Sequence, residues 1–322
     1  MKRFLLVLLL VSSLLLSVSM FAAAQQTDFK GKFIIISSDQ PGGGWYPFGG
    51  ALVTLWQKYI PGLNVTLQGS TGENDNLIKV EQKRADIGFA NVSVAYDKSK
   101  GLGFFEGKPA YEDLRALFAC GLTTFHIVTP ENSPIKTPFD FKGKKYGFYP
   151  IGTAPNVVSR NIFEAYGLKE EDMKSFYGSE HDIVDGIKDK LIDVGLFATT
   201  TGSADMLDLV VSNNAEFVTV TGTNRDELLA KYPYYSACII PKEAYGTSED
   251  IDTIGVRWIM VVDASMDEDL AYALIKTFYE KLDEFKVMVP ATKSYSIETA
   301  FTSGVPMHPG SEKYLKEMGI IK

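Results

Sequence analysis

Cysteine and histidine are scarce in this chain of 322 residues, with two of the first and three of the second. His126, His181 and His308 lie far apart and share no metal-ligand spacing, so neither a metal centre nor a histidine-based catalytic group is expected. There is no Gly-x-Ser-x-Gly nucleophile elbow and no Gly-x-x-x-x-Gly-Lys-[Ser/Thr] phosphate loop. Without such a constellation an enzyme is not expected, and no cofactor is called for. Positive charge is also short: 32 Lys and Arg stand against 40 Asp and Glu, a net −8. That balance offers no electrostatic footprint for nucleic acid or anionic lipid. Past residue 24 no run is long and apolar enough to cross a bilayer. Cys120 and Cys238 both sit in apolar, strand-like runs; they read as buried thiols, with pairing open to an exported chain.

The first residues carry Lys2 and Arg3, the apolar run Phe4 to Leu16, and Ala22-Ala23-Ala24. This predicts a secretory signal peptide over residues 1–24, cut near Ala24, and a periplasmic mature chain. Removing Lys2 and Arg3 takes 32 basic residues to 30, and net charge from −8 to −10. With 45% apolar residues, the remainder has material for a large core.

The densest local signal is Pro41-Gly42-Gly43-Gly44-Trp45-Tyr46-Pro47-Phe48. It follows the apolar run Phe33 to Ile36, which reads as a buried strand, and opens a helical pattern with Phe48, Leu52, Leu55 and Tyr59 in step. Glycines admit close backbone approach, and the N–H groups at a helix start favour an anion. Trp45 and Tyr46 add flat walls with polar tips.

Strand and helix patterns alternate from there: Val65–Leu67, Leu77–Val80, Ile87–Ala90, then Lys145–Tyr149, Val158–Tyr166, Ile183–Leu191 and Val194–Phe197. Ser179 and Asp182 predict a capping box, and Ser265 with Glu268 a second capped helix after the strand Val256 to Val262. Lys83-Arg84-Ala85-Asp86-Ile87-Gly88 and Lys190-Leu191-Ile192-Asp193-Val194-Gly195 fall at the same helix-to-strand junction, which argues for two similar α/β lobes. Lobe 1 is expected over residues 25–123 and 252–322, lobe 2 over 124–251, with a hinge between them and ligand at the carboxyl ends of the strands.

On Gly43-Gly44-Trp45-Tyr46-Pro47-Phe48-Gly49, Ser70-Thr71-Gly72 with Asn76, and Ala85-Asp86-Ile87-Gly88-Phe89-Ala90 leading to Ala95-Tyr96, the chain resembles the TAXI family of TRAP-transporter solute-binding proteins. Lys231-Tyr232-Pro233-Tyr234-Tyr235, Ile254-Gly255-Val256 and His308-Pro309-Gly310 extend the resemblance along the whole mature chain. The resemblance implies a two-lobe periplasmic-binding-protein fold, type II-like, with mixed sheets flanked by helices. It also implies a receptor that closes like a flytrap on a glutamate-like amino acid or small carboxylate and passes it to a membrane permease, as a monomer. A partner of a sensor kinase and, less readily, an exported enzyme using the same cleft are the alternatives. The chain departs from the family at Gly72-Glu73-Asn74, where Gly-Gly-Ser is usual, and at Ala90-Asn91-Val92-Ser93 in place of a Gln-rich loop. A carboxylate at Glu73 would repel an anion unless it faced solvent or met an ammonium group.

The expected ligand shell is Gly43, Gly44, Ser70, Thr71, Asn74, Asn91, Ser93, Thr153, Asn156, Thr199 and Thr200, with Trp45 and Tyr46 packing on the ligand body. Arg160, one turn beyond Asn156, is the preferred carboxylate clamp; Arg115 and Arg257 are less well placed. His126, near a lobe crossing, is the one histidine considered for ligand contact.

Overall fold

The computed structural model describes residues 28–41, 45–151, 153–212 and 215–322. The expected signal peptide and the glycines Gly43 and Gly44 lie outside these residues. Ten strands form one sheet in the order β2-β1-β3-β10-β4-β7-β5-β6, with β8 beside β4 and β9 beside β10. They are β1 (Phe33–Ser38), β2 (Asn64–Gly69), β3 (Ile87–Asn91), β4 (Leu114–Thr129), β5 (Lys145–Phe148), β6 (Lys174–Tyr177), β7 (Val194–Thr199), β8 (Glu216–Phe217), β9 (Tyr235–Ile240) and β10 (Ile251–Asp263). Flanking helices are α1 (Trp45–Tyr59), α2 (Glu73–Glu81), α3 (Val92–Lys100), α4 (Ala154–Ala165), α5 (Glu180–Lys188), α6 (Gly222–Lys231), α7 (Glu268–Glu280), α8 (Leu282–Met288) and α9 (Pro309–Glu317). The α/β class is as expected. Among the described residues no helix is long and apolar enough to cross a membrane.

Parallel pairing groups the strands into two halves. β1 pairs in parallel with β2 and β3, and β5 pairs in parallel with β6 and β7. The long strands β4 and β10 serve both halves and make the sheet continuous. Helix α1 lays Phe48, Leu52, Leu55 and Trp56 against the sheet, and the Trp56 indole donates to the Leu274 carbonyl of α7 (3.1 Å). Each fully buried Leu or Phe of that stripe contributes about 1.5–3 kcal/mol. One large apolar cluster runs through both halves, from Trp56 and Phe118 to Tyr146 and Phe163, and a smaller one gathers around Ile183, Phe197 and Tyr245.

The repeated six-residue motif has a shared structural cause. Asp86 accepts the Ile35 N–H of β1 (2.8 Å), while its own N–H donates to the Ile35 carbonyl (2.9 Å). Asp193 does the same to Lys145 of β5, at 2.8 and 2.9 Å. Lys83 and Lys190 both take left-handed backbone, φ 56° and 57°, which turns the chain from helix into strand. Gly88 and Gly195 then let the helix come close: an added Cβ would stand 3.2 Å from a Val80 methyl and 2.7 Å from an Ile183 methyl.

Two boundaries differ from expectation. The helix after the glycine run begins at Trp45, so Pro47 sits inside the first turn, where its missing N–H has no helical partner to lose. The cap of α7 is Asp267, accepting from the Leu270 N–H (3.0 Å), because Ser265 is already bonded through its N–H and hydroxyl to Asp263. The capping box of α5 is present, with Ser179 and Asp182 bonding each other's N–H groups.

Candidate functional site

The strand registers fix which loops face each other. β10 runs antiparallel to β3, with Trp258 opposite Asn91 and Val262 opposite Ile87. The carboxyl ends of β1, β2 and β3 therefore point toward the segment from which β10 arrives, which is the second half. β7 runs antiparallel to β4, with Thr199 opposite Thr124 and Gly195 opposite Val128, so the ends of β5, β6 and β7 point back toward the first half. Residues 39–41, 45, 70–73 and 91–93 thus confront residues 149–151, 153–155 and 199–203 across the crossing of β4 and β10.

On the first-half rim the indole of Trp45 packs on Trp258 (4.4 Å), Phe48 (5.3 Å) and Phe89 (5.5 Å). The Trp45 backbone N–H donates to Asp39 (3.2 Å), and its carbonyl accepts from the Ser38 hydroxyl (2.9 Å). Glu73 turns inward and accepts the Asn91 N–H (2.7 Å) and side-chain amide (3.1 Å), tying the start of α2 to the end of β3. Burial raises its pKa above the usual carboxylate range, with the Asp39 charge adding to the effect and the Asn91 bonds opposing it. The side-chain oxygens of Asn74 and Asn91 are buried without a hydrogen-bond partner among the described residues. Ser70 is buried and exchanges hydrogen bonds with Gly72, whereas Thr71 is exposed and its N–H is held by Asp75 (3.1 Å). Tyr46 and Ser93 are half-buried at the starts of α1 and α3. This rim presents mostly acceptors.

The second-half rim carries hydroxyls and amides. Thr153 caps α4 without a side-chain cap bond, its hydroxyl donating to the Pro150 carbonyl (2.8 Å). Asn156 is buried and donates to the Tyr149 carbonyl (3.1 Å). Thr199 and Thr200 close β7, and the Thr201 hydroxyl lies 3.4 Å from that of Thr124. Arg160 does not join this rim: it is 45% exposed on the outer side of α4, paired with Glu170 at 2.8 Å. Its neighbours Val158, Ser159 and Ile162 occupy the inner face, leaving the arginine the solvent side.

His126 is fully buried, with Nδ1 3.1 Å from the Thr124 carbonyl and Nε2 2.9 Å from the Tyr245 hydroxyl. A carbonyl can only accept, so Nδ1 carries the proton and Tyr245 donates to Nε2. Burial lowers its pKa to about 4, and the ring is neutral and structural. The Tyr245 hydroxyl also accepts the Gly202 N–H (2.8 Å), which pins the loop after β7. His181 is solvent-exposed beside Asp185, and His308 caps α9. Both cysteines are free; burial raises the Cys238 thiol to about 12 and Cys120 higher still.

Sequence reasoning ranked the residue at the crossing itself below Arg160. Arg257 is half-buried on β10 and, among the described residues, has a single hydrogen bond, to the Thr299 carbonyl at 3.3 Å. Its signal in the sequence was one arginine in the apolar run Val256 to Val262. The adjacent Trp258 indole donates to the Thr123 hydroxyl (3.0 Å). A separate cavity of about 610 Å³ lies on the outer flank, lined by Tyr59, Tyr272, Lys276 and Lys313 among others, and touches neither rim.

The profile of the NMT1-like family matches residues 36–319. A TctC solute-binding protein from Polaromonas superimposes with a TM-score of 0.57 at 13% identity, covering 91% of this chain and 100% of that one. The periplasmic aliphatic sulphonate binding protein SsuA of Escherichia coli does so at 0.50 and 13%, covering 89% and 84%. A sulfonate-binding SsuA of Methylobacillus flagellatus gives 0.50 and 14%, over 84% and 74%. At such identities the likeness establishes a shared fold, that of the periplasmic binding proteins.

Proposed function

Because the chain belongs to the NMT1-like family, we propose that it is an extracytoplasmic solute-binding receptor of a TAXI-type TRAP transporter. Residues 25–123 with 252–322 form one lobe and residues 124–251 the other. A glutamate-like amino acid or small carboxylate is captured between them and delivered to a membrane permease. The observation that carries this reading is the register of β10 and β4, which turns the carboxyl ends of both parallel sets toward each other. In open α/β sheets such ends gather ligand-binding loops. Trp45 and Tyr46 supply the wall against the ligand body, and Thr153, Asn156, Thr199 and Thr200 the polar contacts of the opposite rim. Buried His126 is locked between Thr124 and Tyr245, which favours binding over catalysis.

A thermal-shift screen of the mature protein against amino acids, dicarboxylates and 2-oxo acids tests the proposal. A ligand at a hundred times its dissociation constant adds about 2.7 kcal/mol, a rise of roughly 5–10 °C. A flat response to every compound would refute it.

A further inference from the structure

β3 and β9 lie end to end along the same edge of β10. Trp258 is opposite Asn91, the last residue of β3, and Val256 is opposite Tyr235, the first of β9. Arg257 falls between them and has no strand partner on that edge, though Leu122 of β4 faces it on the other. The opening between the two rims thus begins at the backbone of Arg257.

The other arginines of the described chain are committed or exposed. Arg160 is paired with Glu170, and Arg225 with Asp252 and Asp226. Arg115 donates to the carbonyls of Glu112 and Leu114, and Arg84 is exposed. Arg257 meets no carboxylate among the described residues. The ionisable groups near enough to act on it, Tyr279 and Cys238, are both neutral at pH 7. A guanidinium carries five donors in a rigid planar fork, and one carbonyl at 3.3 Å leaves that fork largely unused. Desolvating such a cation without an anion is unfavourable. On the first-half rim Asp39, Glu73 and the free amide oxygens of Asn74 and Asn91 are acceptors and offer a bound anion no positive counter-charge.

We propose that Arg257 is the anchor for the oxyanion of the bound solute, a carboxylate or a sulfonate, gripped from the strand that joins the two halves. This rests on the receptor reading above and replaces Arg160 as the clamp. The test uses the mature wild type, Arg257→Gln and Arg257→Lys, with thermal shift and calorimetric titration. The probes are L-glutamate, succinate, 2-oxoglutarate and ethanesulfonate at matched ionic strength, with ethylammonium chloride as the cationic control. The carboxylate and sulfonate probes separate the two sources of the oxyanion. For whichever oxyanion the wild type binds, Arg257→Gln is expected to weaken affinity roughly 10- to 100-fold, the size of losing a charge-assisted contact. Arg257→Lys, which keeps the charge and loses the fork, weakens it by a smaller factor. Unchanged affinity in either variant overturns the proposal and leaves the receptor reading intact. A wild type that answers no oxyanion overturns both.

Discussion

Residues 33–91 and 145–199 are two versions of one α/β unit that agree in their scaffold and diverge at their rims. The agreement is atomic: Asp86 on Ile35 and Asp193 on Lys145, each accepting at 2.8 Å, each followed by a glycine under a helix. The divergence begins one layer up. Asn76 of α2 accepts from the Ser37 hydroxyl (2.7 Å) and donates to the Phe89 carbonyl (2.9 Å), whereas Ile183 stands at the same place in α5, in an apolar cluster. The first rim holds Asp39 and Glu73; residues 149–155 and 199–203 contain no carboxylate. A scaffold used twice thus carries two opposite chemistries, because its junctions are set by backbone bonds and its rims by loops free to differ.

Exchanging the fourth helical residue breaks the comparison most severely. Ile183→Asn buries an amide among Val128, Ile187 and Phe197, and is expected to cost about 3–5 kcal/mol in urea unfolding. Asn76→Ile, which strands the Ser37 hydroxyl and the Phe89 carbonyl, costs about 1–3 kcal/mol. Equal losses would mean that the two helices are supported alike.

Acid exposes a second asymmetry. His126 titrates near pH 4 in the fold and near 6.5 when unfolded, so between those values only the unfolded chain takes up the proton. Stability contributed by the neutral ring is complete above pH 6.5 and falls as pH drops, by about 3 kcal/mol at pH 4. Glu73 works oppositely, since its folded pKa is raised and its contribution is lost as pH rises. Urea midpoints at pH 7, 5.5 and 4.5 for wild type and His126→Phe isolate the histidine: the variant is expected to lose the slope above pH 5. A slope unchanged in the variant would move the sensitivity elsewhere.

The smallest effect is also the sharpest check of common design. Asp86→Ala and Asp193→Ala each remove the acceptor for one strand N–H at an exposed bond and should each cost about 0.5–1.5 kcal/mol, matched within error. Clearly unequal costs would leave the six-residue likeness as coincidence.

The sequence made the scaffold readable where the cause is local. Periods of 3.6 residues mark α1, and the Lys-x-x-Asp-[Ile/Val]-Gly junction appears as written because a left-handed turn, a side-chain cap and a close helix are all local demands. The 16 residues of β4 were visible only in part, as the apolar run holding Cys120, since its irregular pairing with β10 breaks any regular alternation. The cap Asp267 was mistaken for Ser265 because competition from Asp263 is invisible in spacing alone. Arg160 looked well placed and Arg257 poorly placed for the same reason: the end-to-end meeting of β3 and β9 joins residues 144 positions apart (235 − 91).

That meeting has a mechanical consequence. A ribbon supported on one side by two abutting planks bends where they abut, and twisting the chain at Arg257 disrupts no rung on that side. The residue rooted at the bend is also the anchor proposed above, so under that proposal grasping a guest and stiffening the pivot become a single event. Trp258, packed at a tilt 4.4 Å from Trp45 and adjacent to the pivot, is the natural fluorescent witness of that event.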